Sequence, residues 1–332
     1  MCLFINSKSL SIFNSRKNFM LQLNSDVDLT LIIPVYNESE LLLNFVNFIK
    51  SILNIDKLHI NFLFINDGST DDSLAILLKM KQFDSRISIV DFSRNFGKES
   101  ALTAGLKFSK GDIVIPIDVD LQDPPEIIPQ MIEKWLSGSQ IVLAKRINRD
   151  SDSFLKRFFS YVFYAIHRRI VNFDIPTNVG DFRLLDRSVV DALNSMHENN
   201  RYMKGLFSWV GFSSSYVYFT RQPRSKGNSK FNFLKLLNLA IEGITSFSIF
   251  PLRIFSIIGL LISIFSFSYA FYIIYLKIFF QIDIPGFSTI IVMISFLGGF
   301  NLLGIGVLGE YVGKIYFESK KRPIYIIRDV FK

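Results

Sequence analysis

Apolar and polar positions divide this chain into stretches of different period. From residue 29 to 146, short apolar runs alternate with segments of helical spacing, the order a parallel α/β sheet requires. Runs at 29–36, 59–67, 86–93, 112–118 and 140–145 predict strands, and helices are expected over 38–53, 71–81, 98–109 and 124–136. Residues 150–220 are less regular, with a helix expected near 154–171 and an ordered segment at 181–186. Residues 231–250 read as an amphipathic helix on a membrane surface, with an ordinary soluble helix as the competing reading. Two uncharged stretches follow, 254–276 and 287–309. Each exceeds the roughly 20 residues that carry a helix across about 30 Å of hydrocarbon. They predict two membrane spans rather than two buried core helices.

These patterns divide the 332 residues into an Asn/Ser-rich, poorly ordered extension (1–28), an α/β domain (29–230) and a juxtamembrane helix (231–250). A two-helix membrane hairpin (251–312) and a basic tail (313–332) complete the chain. The apolar fraction of 49% is high for a soluble protein, and the two spans account for the excess.

Charge sets the orientation. Arg221, Arg224, Lys226, Lys230 and Lys235 precede the first span, and Lys314, Lys320, Lys321, Arg322 and Arg328 follow the second. The hairpin between them carries Lys277 and Asp283. Both ends therefore face the cytoplasm of a cytoplasmic-membrane protein. The net charge of +8 suits anionic lipid headgroups, and its concentration beside the spans argues against nucleic acid as a partner. A single cysteine, Cys2, excludes an internal disulfide framework and a cysteine-based zinc site.

Polar clusters stand where four of the expected strands end: Asn37 and Glu38, Asp67, Arg94 and Asn95, Asp118 and Asp120. Ligands of open parallel sheets bind outside the carboxyl ends of strands, so these ends describe one pocket. Asp118-Val119-Asp120 ends an apolar run and precedes Pro124-Pro125, which turns the chain out of the strand. Alternate residues of an extended segment point the same way, so both carboxylates can converge on one point. Few hard oxygen ligands, with room for phosphate oxygens, suit Mg²⁺ or Mn²⁺. Read alone, this spacing is more readily a solvated turn; at a strand end beside the other polar clusters it points to a metal. In Asn66-Asp67-Gly68-Ser69-Thr70-Asp71, Gly68 permits a tight turn and Ser69 or Thr70 a helix cap. Asp67 is left over, with oxygens able to accept the N–H of a uracil ring. Ser93-Arg94-Asn95-Phe96-Gly97-Lys98 brings cations and a helix start to a diphosphate.

Taken together, P-V-Y-N-E, N-D-G-S-T-D, S-R-N-F-G-K, D-V-D-L-Q-D-P-P-E and D-F-R-L resemble family 2 glycosyltransferases of the polyprenyl-phosphate class, the bactoprenol glucosyltransferases above all. The resemblance runs from about residue 29 to the C-terminus. It implies a GT-A type α/β domain that transfers one sugar from a nucleotide diphosphate to undecaprenyl or another polyprenyl phosphate. Pro34, Tyr36, Glu38 and Asp67 would line the base and ribose, with Arg94, Asn95, Lys98 and Asp118 completing the nucleotide-sugar site. Asp118, Asp120 and Gln122 would hold Mg²⁺ or Mn²⁺, and Asp181 and Arg183 would lie at the reacting sugar. Arg224, with Arg146 and Arg157, would meet the acceptor phosphate. Similar enzymes usually carry a second Asp where this chain has Asn66.

A phosphate monoester already loses its second proton near pH 6, so a strong general base is not obligatory. Asp181 is then an orienting group as readily as a base, and a surface pair with Asp186 is the competing reading for Arg183. The resemblance implies UDP-glucose as donor, with N-acetylhexosamine, galactose or aminoarabinose as alternatives, and inversion to a β-linked product. A homotetramer, a separate flippase and a downstream transferase that modifies a cell-envelope glycan are further implied. A processive polysaccharide synthase would carry Gln-x-x-Arg-Trp, and neither Trp135 nor Trp209 ends such a motif. A non-catalytic membrane scaffold would tolerate loss of Asp118 or Asp120, yet both are present.

Overall fold

A computed structural model describes residues 23, 25–147, 176–198, 201–220, 245, 248–280 and 286–332. In chain order its elements are β1 (Val27–Val35), α1 (Leu42–Ile52), β2 (Leu58–Asn66), α2 (Ser73–Phe83), β3 (Ile87–Phe92), α3 (Lys98–Phe108), β4 (Ile113–Pro116) and α4 (Ile128–Leu136). There follow β5 (Ile141–Arg146), β6 (Val179–Asp186), α5 (Arg187–Ser195), α6 (Met203–Trp209) and β7 (Ser214–Phe219). The long helices α7 (Phe250–Phe280) and α8 (Phe287–Ser319) and a last strand β8 (Ile327–Phe331) end the chain.

The strands form one sheet in the order β7-β5-β6-β4-β1-β2-β3-β8. β4, β1, β2 and β3 are parallel neighbours, and β5 and β7 also pair in parallel. β6 enters antiparallel between β4 and β5. β1 lies centrally, buried nearly throughout, as a parallel strand covered on both faces must be. On one face α1 contributes Leu42, Phe45, Val46 and Ile49 at helical spacing to the core. On the other, α3 is buried from Ser100 to Leu106. Gly105 explains how α3 comes so close, because a Cβ there would lie 2.2 Å from Ile32 Cγ2.

The strand order reverses between β1 and β4. Their carboxyl ends therefore splay apart and leave a crevice, the usual ligand position in such sheets. β4 stops at Pro116, two residues sooner than the apolar run suggested, which leaves Asp118 and Asp120 in the following loop. α1 starts at Leu42 rather than near 38, because residues 37–39 are engaged with the loop after β2. Pro124-Pro125 inserts a 3₁₀ turn, Pro125–Ile127, before α4. The segment expected at 181–186 is strand β6. The helices expected at 154–171 and 231–250 fall outside the described residues, apart from Thr245 and 248–250.

α7 and α8 are long and apolar enough to cross a membrane, with mean hydropathies of 2.2 and 1.9 over 18-residue stretches within Phe250–Phe280 and Val292–Ser319. Neither buries its most apolar stretch within the protein. They meet where Phe255 stacks near Phe300, 5.3 Å between ring centroids, and where Gly304 leaves room for the Phe255 ring. Both ends of the chain differ from the sequence expectation. Leu23 is buried and β1 begins at Val27, inside the stretch read as an extension. At the other end α8 continues to Ser319, and the basic tail ends in β8, antiparallel to β3.

Gly105→Ala is expected to lower stability by about 1–3 kcal/mol, the usual cost of an extra methyl in a packed core. Thermal unfolding of the purified protein checks this, and Gly105→Ala combined with Ile32→Ala should lose less than the sum of the two single losses, because the smaller side chain makes room for the added methyl.

Candidate active site

The motifs that end β1 and β2 are hydrogen-bonded to one another. Asn37, in the left-handed region at φ 56, donates its backbone N–H to Ser69 Oγ (3.1 Å) and accepts from Thr70 N–H through its side-chain oxygen (2.8 Å). Glu38 N–H donates to Ser73 Oγ at 3.0 Å, and Ser39 N–H to Asp71 at 3.2 Å. An Asn tolerates positive φ better than most residues, so the chain turns sharply and presents Tyr36 and Glu38 to the crevice.

The third loop is held by the second. Asp67, 4% exposed, accepts the backbone N–H groups of Phe96 (2.6 Å) and Gly97 (2.9 Å), one on each oxygen. Burial raises its pKa, and those two bonds and Arg94 act against the rise. Gly68, at φ 64, lies under the same loop, and a Cβ there would stand 2.3 Å from the Arg94 carbonyl carbon. That close approach requires glycine. Asp67 thus braces the 93–98 loop while still lining the cleft, a structural role beyond the base contact inferred from sequence. Asn66 is absent from the cleft lining and donates instead to buried Asp91 at 2.7 Å. An aspartate there would press two carboxylates together in the interior, so Asn66 suits this neighbour.

One cleft of about 350 Å³ gathers Pro34, Tyr36, Glu38, Asp67, Asn95 and Lys98 with Asp118 and Asp120. Its acidic groups crowd one another: burial first, then Asp120 and Asp118, raise the pKa of Glu38. The Lys98 ammonium bridges Asp118 (2.8 Å) and Asp181 (3.0 Å). Burial opposes charge on Lys98, but the two carboxylates outweigh it and hold the ammonium protonated. Asp181 is likewise desolvated, yet Lys98, Lys204 and Arg183 bring its pKa below the usual carboxylate value. Its Oδ1 is buried without a hydrogen-bond partner, an acceptor available to a ligand hydroxyl. Lys98 also opens α3 behind Gly97, so the positive end of that helix faces the cleft.

The donor set fits a divalent cation shared with a substrate. Among the described residues no group of three or more His, Cys, Asp or Glu forms a complete metal cage. What the cleft offers is two carboxylates, Asp118 and Asp120, in a locally acidic field. Mg²⁺ and Mn²⁺ are commonly held by one or two carboxylates with substrate phosphates supplying other ligands. Leu121, the residue after Asp120, has φ 53, costly for a bulky residue and of the kind that clusters at functional loops. Gln122 donates its backbone N–H to Asp120 at 3.1 Å.

Other candidates lie elsewhere. Arg94 is exposed and stacks over Phe96, 4.1 Å from the ring centroid, beside the cleft rather than lining it. Arg183 is 3% exposed, donates to Gly180 O at 2.6 Å and packs over Phe207 at 4.0 Å. Burial lowers its pKa to about 10. It does not pair with Asp186, which instead accepts from Trp135 and caps α5. Arg146 lies 3.7 Å from Asp123 on the neighbouring loop. Arg157 and Arg224 fall outside the described residues. Sequence reasoning missed Glu99, which accepts from Met203 N–H, and Lys204, whose charge acts on both Glu99 and Asp181. Loss of water and the Asp181 charge push Glu99 up to about 7. Adjacency to Lys98 was the available signal for Glu99; Lys204 had none.

The model of the family "Glycosyl transferase family 2" matches residues 30–193. A prophage bactoprenol glucosyl transferase homolog of Escherichia coli is 47% identical over 304 residues, covering 92% of this chain and 99% of that one. An uncharacterised glycosyltransferase of Synechocystis is 43% identical over 305 residues, covering 92% and 96%. A mannosyltransferase of Pyrobaculum calidifontis, solved with GDP-Man and Mn²⁺, is similar at 18% identity and a TM-score of 0.41, covering 61% of this chain and 59% of that one. This chain belongs to glycosyltransferase family 2. It is a glycosyltransferase with a GT-A type, mostly parallel sheet.

Lys98→Met tests the charge bridge. Asp181 has a lowered pKa, so its contribution to stability is present above the ordinary carboxylate value near 4 and lost as pH falls through the lowered one. The variant is expected to lose on the order of 1 kcal/mol at pH 7, because Lys98 is partly exposed and water screens the pair. The deficit should shrink below pH 4, measured by thermal unfolding across pH.

Proposed function

We propose that this glycosyltransferase transfers glucose from UDP-glucose to a polyprenyl phosphate at the cytoplasmic face of a membrane, with inversion. The observation that carries the reading is the 47% identity, over nearly the full length of both chains, to a relative named for bactoprenol glucosyl transfer. The two apolar helices are consistent with an enzyme whose acceptor is a lipid. The described cleft suits a nucleoside diphosphate: a crevice at the switch point, the positive end of α3, Lys98 and a pair of acidic oxygen donors.

In this mechanism Pro34, Tyr36, Glu38 and Asp67 receive base and ribose, while Lys98 and the α3 N-terminus meet the diphosphate. Asp118 and Asp120, with Gln122 beside them, would hold Mg²⁺ or Mn²⁺, which when bound neutralises charge on the departing nucleoside diphosphate. Asp181 acts by orientation. A carboxylate kept ionised by three cations is a weak proton acceptor, and the acceptor phosphate needs no strong base at neutral pH. Its unpartnered Oδ1 accepts from a sugar hydroxyl, and buried Arg183 holds β6 against α6 behind it. Arg146, Arg157 and Arg224 are assigned to the acceptor phosphate. In-line attack by that phosphate on the anomeric carbon breaks the bond to the nucleoside diphosphate, gives a β-linked product and releases UDP.

Asp120→Asn is expected to lower transfer of labelled glucose into the lipid fraction at least about 100-fold, the scale on which charge stabilisation acts, while membrane insertion is unchanged. Full residual activity would refute the assignment of Asp120. Asp181→Asn is expected to lose activity by the same factor from pH 6 to pH 9. A loss that high pH repairs would make Asp181 a base instead.

A further inference from the structure

The tail after the second long helix does more than trail from the membrane. Seven residues, 320–326, separate the end of α8 from β8, and β8 pairs with the sheet edge that leads into the 93–98 loop. Its contacts concentrate on that loop. Ile326 O accepts the backbone N–H of Ser93 at 2.9 Å, and Arg328 donates to Ser93 O at 2.9 Å. The second guanidinium nitrogen of Arg328 lies 3.5 Å from Asp91, a carboxylate 1% exposed that also accepts from Asn66. Tyr325 stacks on Phe92, 4.9 Å between centroids and 9° from parallel, and Phe92 meets Phe96 edge-on at 5.8 Å. Phe96 and Gly97 are the residues whose N–H groups bind Asp67, and Lys98 follows them.

We infer that the C-terminal strand is a positioning element for the 93–98 loop, with Tyr325 and Arg328 as its positioning residues. Its consequence for the reaction rests on the reading of that loop as part of the donor site. Residues 93–97 have no regular structure of their own, and Gly97 at φ 93 leaves their backbone permissive. Asp67 anchors the loop from the cleft side. From the outer side, the described residues that hold both backbone groups of Ser93 are Ile326 and Arg328. Stacked aromatic pairs contribute beyond the area they bury, so the ring of Tyr325 supplies a directional restraint on Phe92 and through it on Phe96. Asp91 needs the Arg328 charge, because a buried carboxylate with one neutral amide partner is poorly compensated. The same strand ties the sheet to the membrane hairpin through a seven-residue connection, so loop order and membrane attachment share one element.

The test uses the full-length protein in detergent or nanodiscs without ligand. Hydrogen–deuterium exchange is followed at the peptides holding Phe96 and Gly97, and at the α1 segment as an internal control. Tyr325→Ala and Arg328→Ala are expected to speed exchange at Phe96 and Gly97 about tenfold with α1 unchanged, while Tyr325→Phe, which keeps the ring, restores the slow rate. Unchanged exchange at the loop, or acceleration spread equally to α1, would overturn the inference. Steady-state kinetics then separates it from the functional reading. The KM for UDP-glucose should rise about fivefold with kcat and the acceptor KM little altered. A loosened loop with an unaltered donor KM would leave the positioning role standing and remove this loop from the donor site.

Discussion

Negative charge is crowded at the carboxyl ends of β1 and β4, and the site depends on how that charge is balanced. Burial and the nearby Asp120 and Asp118 raise the cost of ionising Glu38, and Asp181 stands one ammonium away from Asp118. Lys98 holds two of these groups at once, which keeps Asp181 ionised although most of its water has been removed. A diphosphate entering this cleft brings further negative charge. Only additional cations make such an arrangement favourable, whether from the protein or from a divalent ion gripped by Asp118 and Asp120. The proposed chemistry, in which two phosphate compounds meet at one carbon, is a consequence of the same balance.

The fold supplies the place and the loops supply the precision. Strand order opens the crevice, and hydrogen bonds of Asn37 with Ser69 and Thr70 and of Glu38 with Ser73 make the first two loops one unit. Asp67 and Gly68 then fix the third loop over the second. Preorganisation of this kind means little rearrangement is needed when charge develops during reaction. β8 extends the same unit to the chain that leaves the long apolar helix α8.

Much of this was legible in the sequence. The apolar runs located five strands of the sheet to within a few residues, because a buried parallel strand has little freedom in composition. Eight of the candidate site residues line a single cleft, since loops at successive strand ends must share one edge of the sheet. Boundaries were less legible: α1 starts late because residues 37–39 serve the neighbouring loop, a constraint that comes from Ser69 and Asp71 far along the chain. β8 was hidden for a different reason. Its residues, Ile-Arg-Asp-Val-Phe, mix charge with β-branched positions, and its strand state depends on an edge formed by residues 87–92. Asp67, Asn66 and Arg183 show the same limit, because partners distant in sequence decide whether a polar side chain faces a ligand or braces the backbone.

The most direct test of the account is metal dependence of the purified full-length protein, supplied with labelled UDP-glucose and undecaprenyl phosphate. Transfer to lipid should stop in excess chelator and return when Mg²⁺ or Mn²⁺ is restored. Glucose transfer at an undiminished rate in chelator would contradict the claim that Asp118 and Asp120 work by holding a cation between two anions.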